Sequence, residues 1–335
     1  MKRIFVLFLS VMTAFTVFAF SACGKEQKDF TFPTITVYSP DGAPALSVAK
    51  FINDGEDFVG GIEVKYNVVA AEDIGGIMQQ GKGDIIIMPV NAASKLYAAQ
   101  ADKYKMAGVI THGNLYLMAK EDLDLQDLKG KVVGVVNLAN VPGLTFKAIL
   151  EKSGIEYEEN DTAVAGKVAL RGYDAPALIA ALKQGSDKNG VDFGVLPEPA
   201  ANKLTGIDAS FKYALDLQEL YNAETKTYPQ AAVMVKSSVI AAYPALINSF
   251  GDKVASGVSW VKENPELAVQ AVSSALKEGL TPSFNANNLN ATVVDNCKIY
   301  WQSAADAKAA VKAYITEIRG ILETSAREIT DDFFA

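Results

Sequence analysis

A short pattern that occurs twice in the chain limits its possible folds more than any other feature. Residues 83–94 (GDIIIMPVNAAS) and residues 191–202 (VDFGVLPEPAAN) each contain an aspartate, an apolar block, a proline and two alanines. Pro89 of the first copy aligns with Pro197 of the second. The apolar blocks do not alternate with polar residues, which is typical of strands buried on both faces of a sheet. The pattern predicts two equivalent buried strands.

The segments before each copy also repeat. Strand-like runs at residues 34–38 and 131–136 are each followed by a loop containing Pro and Gly or Asn, and then by a helical pattern. A second strand and helix then lead into the repeated pattern in both halves. This strand–helix–strand–helix–strand order is expected for a parallel sheet covered by helices. The sequence therefore predicts an α/β fold with two similar Rossmann-like lobes and a ligand cleft between them.

A third repeated element links the halves. Residues 115–120 and 231–236 both end in the order apolar, Met, apolar, Lys. We interpret them as two segments that cross between the lobes. The predicted boundaries are residues 33–116 and 232–335 for lobe 1 and residues 117–231 for lobe 2.

The N-terminus predicts export. Lys2 and Arg3 precede an apolar run that reaches about Phe20, and two small residues follow before Cys23. The charge, the length and the exit residues are those of a signal peptide that ends at residue 22. A retained membrane anchor is the alternative, although the run is shorter than the roughly 18–20 apolar residues of a spanning helix.

Residues 20–24 (FSACG) also resemble a bacterial lipobox. The resemblance implies that Cys23 is lipidated and becomes the first mature residue. Residues 23–32 would then form a polar tether on the outer side of a membrane.

Composition narrows the function classes. The formal net charge is −8 and no dense Lys/Arg cluster follows the N-terminus, so we expect no nucleic-acid partner. Cys297 is the one cysteine besides Cys23, and we expect it to be buried as a small apolar side chain. His112 is the single histidine, so an imidazole metal site lacks partners at suitable spacing. The sequence predicts no metal and no cofactor.

Several segments together resemble one protein family. They are the two α/β lobes, the lipobox, DLKGKVVGVVN at residues 127–137, Leu-Pro-Glu-Pro at residues 196–199, and the joint Trp260-x-x-x-Asn264-Pro265-Glu266. This combination resembles the substrate-binding components of bacterial ABC importers, in the branch that includes nitrate-, taurine-, alkanesulfonate- and thiamine-pyrimidine-binding proteins. The resemblance implies a type II periplasmic-binding fold, a monomer that closes on one small molecule, delivery to a membrane permease, and no catalysis.

The ligand site is predicted from sheet geometry. Ligands of open α/β sheets bind beyond the carboxyl ends of the strands, where helix N-termini supply free N–H groups. Loops at these ends should converge between the lobes. The candidate ligand-binding residues are Tyr38, Ser39, Asp41, Asn91, His112, Asn114, Asn137, Asn140, Arg171, Tyr173, Glu198 and Tyr228.

Each candidate has an alternative structural role. Arg171 could clamp an anionic group through paired hydrogen bonds, or form a surface salt bridge. Glu198 could receive a cationic ligand, or hold its loop and the connection between the lobes. His112 could contact the ligand or the connection, or be an ordinary loop histidine. The tyrosines could form flat walls for a ring, or pack in the core.

The sequence favours thiamine or its pyrimidine precursor as ligand. Organic sulfonates including taurine are the next candidates, and nitrate-like anions follow. An enzyme of the pyrimidine- or menaquinone-pathway type on the same fold is an alternative, with His112 and either Asp41 or Glu198 as its acid/base pair. An adhesin or surface scaffold is a further alternative.

Overall fold

The computed structural model describes residues 34–55, 61–100 and 103–335, and its strands form two six-stranded sheets. The strands in chain order are β1 (Thr34–Pro40), β2 (Glu63–Val69), β3 (Ile85–Pro89), β4 (Tyr104–Thr111), β5 (Leu115–Ala119), β6 (Val132–Val136), β7 (Tyr157–Glu159), β8 (Val168–Tyr173), β9 (Phe193–Pro197), β10 (Lys212–Asp216), β11 (Ala231–Lys236) and β12 (Ile299–Ser303). The predicted signal peptide, Cys23 and the tether lie outside the described residues.

Helices connect and cover the strands. In chain order they are α1 (Ala43–Leu46), α2 (Ala49–Asp54), α3 (Asp73–Gln79), α4 (Val90–Ala99), α5 (Val141–Lys152), α6 (Ala175–Gln184), α7 (Ala200–Ile207), α8 (Leu217–Tyr221), α9 (Ser237–Ala242), α10 (Leu246–Glu263), α11 (Pro265–Ser274), α12 (Ala291–Asn296) and α13 (Ala304–Ile321). Among the described residues, no helix is both long enough and apolar enough to cross a membrane.

The two sheets share one plan. The first has the order β12–β4–β11–β3–β1–β2, and the second has the order β10–β5–β9–β6–β8–β7. The strands of the repeated pattern, β3 and β9, each pair in parallel with the first strand of their unit, β1 and β6. Each repeated strand ends on its proline, Pro89 or Pro197, before the next helix begins. The prediction of two similar α/β lobes is confirmed.

The predicted parallel sheets are in fact mixed. β11 pairs antiparallel with β3, and β5 pairs antiparallel with β9. These strands lie in the segments 115–120 and 231–236, which we expected to cross between the lobes. They are equivalent strands instead, which explains their shared sequence pattern. The chain passes between the sheets just before each of them, at residues 112–114 and 217–230. The lobe boundaries at 116–117 and 231–232 stay predictions.

The aspartates of the repeat secure the start of the repeated strand. Asp84 is only 6 % exposed, accepts the backbone N–H of Thr36 at 2.9 Å and pairs with the Lys236 ammonium at 2.8 Å. Asp192 accepts the backbone N–H of Ser186 at 3.1 Å. Both carboxylates lie at the end of the strand opposite the proline. The role of Asp84 is therefore structural, because a buried carboxylate is tolerated only when donors surround it, and the exposed Asp192 orders the turn before β9.

One hydrophobic core extends through both sheets. It includes Met88 of β3 and Val135 of β6, which belong to different sheets. The C-terminal helix α13 joins the two parts, since the Tyr314 hydroxyl lies 2.8 Å from the Thr145 hydroxyl of α5. The Tyr314 ring also stacks on Tyr228, which precedes β11, with ring centroids 5.7 Å apart. Helix α13 thus holds the two sheets together through apolar packing.

Two predictions for the C-terminal part are confirmed. Pro265 begins α11 directly after α10, so the helix–helix joint lies where the proline indicates. Cys297 follows α12 and is a fully buried free cysteine. Burial raises the pKa of the Cys297 thiol well above its usual value, because the charged thiolate is disfavoured away from water.

We expect Gly113→Ala to destabilise the protein more than Gly130→Ala. Both glycines have positive φ angles, +94° and +76°. A Cβ at Gly113 would lie 2.6 Å from Tyr228 and 2.7 Å from Gln218, whereas nothing lies within 4 Å of one at Gly130. Backbone strain alone predicts a loss of about 1–2 kcal/mol for each variant, and overpacking adds about 1–3 kcal/mol at Gly113. Urea unfolding measures both losses, and equal losses would contradict the close packing at Gly113.

Candidate functional site

The carboxyl ends of the repeated strands lie at the connections between the sheets. Pro89, the last residue of β3, pairs with Ala231 at the start of β11. Pro197, the last residue of β9, pairs with Leu115 at the start of β5. The ends of both parallel units therefore reach the same place, as ligand binding in open α/β sheets requires.

The two connections run side by side at this place. The Gln230 N–H donates to the Thr111 carbonyl at 3.0 Å, and the Tyr228 N–H donates to the His112 carbonyl at 3.3 Å. We call residues 111–114 and 228–231 the junction. It joins the sheets through backbone hydrogen bonds, so its side chains are held in fixed positions between them.

Asn114 ties the junction to the end of β9. Its side-chain oxygen accepts the Gln230 amide at 2.8 Å, and its side-chain amide donates to the Glu198 carbonyl at 3.2 Å. The Glu198 N–H donates in turn to the Asn114 carbonyl at 3.0 Å. Asn114 is therefore a structural link between the two connections and the second sheet.

The Glu198 carboxylate is buried and fully occupied within the protein. The residue is 2 % exposed, and its carboxylate accepts the Tyr213 hydroxyl at 2.6 Å, the Asn296 amide at 3.0 Å and the Asn202 backbone N–H at 3.1 Å. Burial raises the pKa of Glu198, while these three donors lower it in part. This geometry supports the role of holding the loop and the connection rather than that of receiving a cation.

His112 is a buried, neutral histidine. Its ring stacks on Tyr300 with centroids 3.5 Å apart, and Nε2 lies 3.3 Å from the Gln302 side-chain oxygen. Since that oxygen only accepts hydrogen bonds, Nε2 carries the proton in this arrangement and Nδ1 keeps its lone pair. Burial lowers the pKa of His112 to about 4, although the Gln302 side chain and the Lys298 carbonyl raise it in part. Within the described part of the chain, Nδ1 has no hydrogen-bond partner.

Three further polar atoms of the junction lack partners among residues 34–55, 61–100 and 103–335. They are the Thr111 hydroxyl, the Tyr228 hydroxyl and the Gln230 side-chain oxygen, and all three atoms are buried. Buried polar atoms are rarely left unpaired, so each of these atoms retains the capacity for a hydrogen bond. We did not predict Thr111 or Gln230 from the sequence. Only their positions in the sequence mark them, because Thr111 directly precedes His112 and Gln230 directly precedes β11.

The predicted residues at the end of β1 make contacts within the first sheet. Asp41 accepts the Gly42 N–H at 2.8 Å and the Ser283 N–H at 2.7 Å. Ser39 is buried and donates its hydroxyl to the Pro40 carbonyl at 3.1 Å. Tyr38 is half-buried and packs against the main core. Asp41 therefore orders its own loop, and its negative charge is balanced by backbone donors.

Asn91 and Tyr228 also have contacts inside the protein. The Asn91 amide donates to the Ser325 carbonyl at 3.2 Å and so attaches the C-terminal segment to α4. The Tyr228 ring is buried against Tyr314 and, with centroids 5.5 Å apart, Tyr221. Burial raises the pKa of the Tyr228 hydroxyl well above its usual value. The Tyr228 ring thus packs in the core, which is the alternative role given above for the tyrosines.

The predicted residues on the second sheet are more open. Asn137 and Asn140 are exposed in the loop between β6 and α5, and Asn137 has a φ of +50°. The Arg171 guanidinium lies 3.4 Å from Asp161 and 5.2 Å from the Tyr173 ring. The surface salt bridge expected as the alternative for Arg171 is present. Arg171 and Asp161 both line a cavity of about 450 Å³.

A second cavity, of about 440 Å³, lies at the far edge of the second sheet. Lys120, Lys131, Phe193 and Phe211 are among its lining residues. These residues lie at the ends of their strands that point away from the junction. The cavity is thus separate from the predicted cleft.

The described residues neither join His112 to the predicted carboxylates nor form a metal-binding group. Among the described residues, no hydrogen bond joins His112 to Asp41 or Glu198, and both carboxylates have other donors. The described residues also contain no group of three or more His, Cys, Asp or Glu side chains placed to hold a metal ion. The acid/base pair suggested by the sequence is therefore not assembled in this structure.

We expect His112 to titrate near pH 4 in the folded protein. As it is the single histidine, its ring signal in a proton NMR spectrum is unambiguous. Burial lowers the folded pKa to about 4 from 6.5, so only the unfolded chain binds the proton between these values. The contribution of neutral His112 to the free energy of unfolding is therefore complete above pH 6.5. It falls by about 3 kcal/mol as the pH drops to 4. A folded-state midpoint near 6.5 would contradict the burial, and the urea-unfolded chain is the control.

The sequence matches no known protein-family model and no curated protein. Solved structures do match. An ABC transporter protein from Parabacteroides distasonis is 21 % identical, with a TM-score of 0.74, over 91 % of this chain and 99 % of that one.

Two other structures show the same architecture. The alkanesulfonate-binding protein of Xanthomonas axonopodis pv. citri, bound to MOPS, is 12 % identical with a TM-score of 0.56, over 88 % of this chain and 95 % of that one. A conserved Candida albicans gene product with the generic periplasmic binding protein fold is 13 % identical with a TM-score of 0.52, over 90 % and 94 % of the two chains. The chain has the two-lobed α/β fold of the periplasmic binding proteins.

Proposed function

We propose that the protein is the solute-binding component of an ABC importer and holds one small organic molecule between its lobes at the junction. The observation that carries this proposal is the junction itself. There the ends of two equivalent α/β units meet, and buried polar atoms have no partner within the described residues. The similarity to ABC-type binding proteins supports it through the fold.

The chemistry of the junction favours a ligand that donates hydrogen bonds. His112 Nδ1 and the Gln230 side-chain oxygen are both acceptors, and an unpaired buried acceptor costs about 1–3 kcal/mol. A ligand with N–H or O–H groups would recover this free energy when it binds. The lobes would close around the ligand, since closure excludes water and strengthens these bonds.

Among ligands we favour thiamine or its pyrimidine precursor. An aminopyrimidine ring supplies N–H donors to neutral acceptors. The charged candidates in this region are already paired, since Glu198, Asp41 and Arg171 all have partners in the protein. The aminopyrimidine ring that both ligands contain therefore needs no free carboxylate from the site.

An alkanesulfonate is the second candidate. The alkanesulfonate-binding protein with the same fold supports it. So does the N-terminus of α5, where Asn140 makes no side-chain cap and the first N–H groups follow an exposed loop. Helix N-termini bind anions well. Nitrate-like anions also require free N–H groups, but they would make fewer contacts with the protein.

The remaining parts of the proposal concern location and partners. We propose that residues 1–22 are cleaved and that Cys23 is lipidated. Residues 23–32 would tether a monomer to the outer side of the bacterial cell membrane, beside the permease that receives the ligand. The N-terminal sequence supports this, as does the similarity to importer components.

A ligand panel tests the function. We expect one of thiamine, its pyrimidine precursor, taurine or an alkanesulfonate to raise the melting temperature, since a ligand that binds only the folded state stabilises it. His112→Phe keeps an aromatic ring at this position but removes both ring nitrogens, and we expect it to weaken binding about tenfold in calorimetry. Tyr300→Phe keeps the stacked ring and should bind normally.

Two results would contradict the proposal. One is a panel without any stabilising ligand. The other is chemical conversion of a bound ligand, followed by mass spectrometry, because turnover would favour the enzyme alternative.

The lipid anchor has its own test. We expect wild-type protein in bacterial cells to incorporate labelled palmitate and to sediment with membranes. Cys23→Ser should abolish both, because the thiol is the proposed attachment point. Cys297→Ser is the matched control and should still be labelled, since Cys297 is buried inside the protein. Labelling of Cys23→Ser would overturn the assignment.

A further inference from the structure

A segment of lobe 1 crosses the carboxyl edge of the first sheet. We call residues 276–296 the strap. It begins beside β2, where Val68 accepts the Lys277 N–H at 2.8 Å, and passes the end of β1, where Asp41 accepts the Ser283 N–H at 2.7 Å. The strap therefore follows the edge at which the predicted cleft opens.

The strap is anchored on the side of the first sheet. Phe284 and Leu289 are almost fully buried and belong to a core cluster with Leu46 of α1 and Val261 of α10. This apolar anchoring holds the strap in place when its polar contacts change. It can then act as a fixed part of lobe 1.

The same segment makes polar contacts with the second sheet. The Asn202 amide of α7 donates to the Asn288 carbonyl at 3.2 Å. The Asn296 amide donates to the Glu198 carboxylate at 3.0 Å, and the Tyr116 hydroxyl of β5 donates to the Asn296 carbonyl at 3.1 Å. Three hydrogen bonds thus link the strap to the second sheet and its helix α7.

The contacts on the α13 side have a different chemistry. There Tyr314 packs in the hydrophobic core that both sheets share, with Tyr228 and Thr145 as neighbours. Separating the lobes on that side would expose apolar surface to water, which is unfavourable. Separating them at the strap exchanges hydrogen bonds with the protein for hydrogen bonds with water. The strap contacts are therefore more readily exchanged for water than the apolar contacts around Tyr314.

We propose that the strap is a latch, with Asn296 and Asn202 as positioning residues that hold the two lobes closed in the ligand-free protein and so set the affinity of the cleft. This inference rests on the two-lobe closure of the proposed function. A latch that favours the closed state raises the apparent affinity for any ligand that binds that state. The bond from Asn296 to the Glu198 carboxylate is the strongest part, because hydrogen bonds to charged groups are stronger than neutral ones.

Small-angle scattering of the ligand-free protein tests the latch. We expect wild-type protein to have the dimensions of the closed structure. Asn202→Ala combined with Asn296→Ala removes two of the three hydrogen bonds, so the closed-to-open ratio should fall about tenfold or more and the radius of gyration should rise. Asn287→Ala lies in the same strap, is exposed, and should leave the scattering unchanged.

A milder variant distinguishes loss of the latch from a folding defect. Tyr116→Phe removes only the hydroxyl that contacts Asn296, and we expect a smaller shift in the same direction with unchanged circular dichroism. Scattering curves that coincide for wild type, Tyr116→Phe and the double variant would overturn the latch. Failure of the proposed function looks different, since the latch predicts these shifts without any ligand. Shifts without ligand binding would leave the latch standing alone.

Discussion

The buried carboxylate of Glu198 is the interaction on which the arrangement of the two lobes depends. Its donors come from β10 (Tyr213), from α7 (Asn202) and from the end of α12 (Asn296), while its backbone bonds to Asn114 in the junction. A buried charge is strongly unfavourable when its donors are lost. These elements therefore have fixed positions relative to one another, and the junction is fixed together with them.

Two kinds of contact, apolar and polar, hold the lobes together, and each has a different role. Apolar packing around Tyr314 of α13 joins the sheets permanently. In the proposed latch, polar contacts around the strap join them reversibly, since water can replace each partner when the cleft opens. The proposed binding function needs both, because the lobes must stay associated while the site opens. The position of Gly113, between Tyr228 and Gln218, allows the first connection to pass through this crowded region.

The fold could be predicted from the sequence because its signals are local. The apolar blocks before Pro89 and Pro197, and the strand–helix order around them, depend on neighbours in the chain. The direction of β5 and β11 could not be predicted, since pairing with β9 and β3 depends on residues far away in the chain.

Much of the site escaped prediction for the same reason. The partner of Glu198 on α12, Asn296, is 98 residues away, so nothing near Glu198 indicates that its carboxylate is already occupied. His112 was found as the single histidine, but its burial depends on β12. A crystal structure with the ligand from the thermal screen tests the central claim most directly. The account predicts a ligand at the junction, within hydrogen-bond distance of His112 Nδ1 or the Gln230 side-chain oxygen. A ligand bound in the distant cavity beside Lys120 and Lys131 would contradict it.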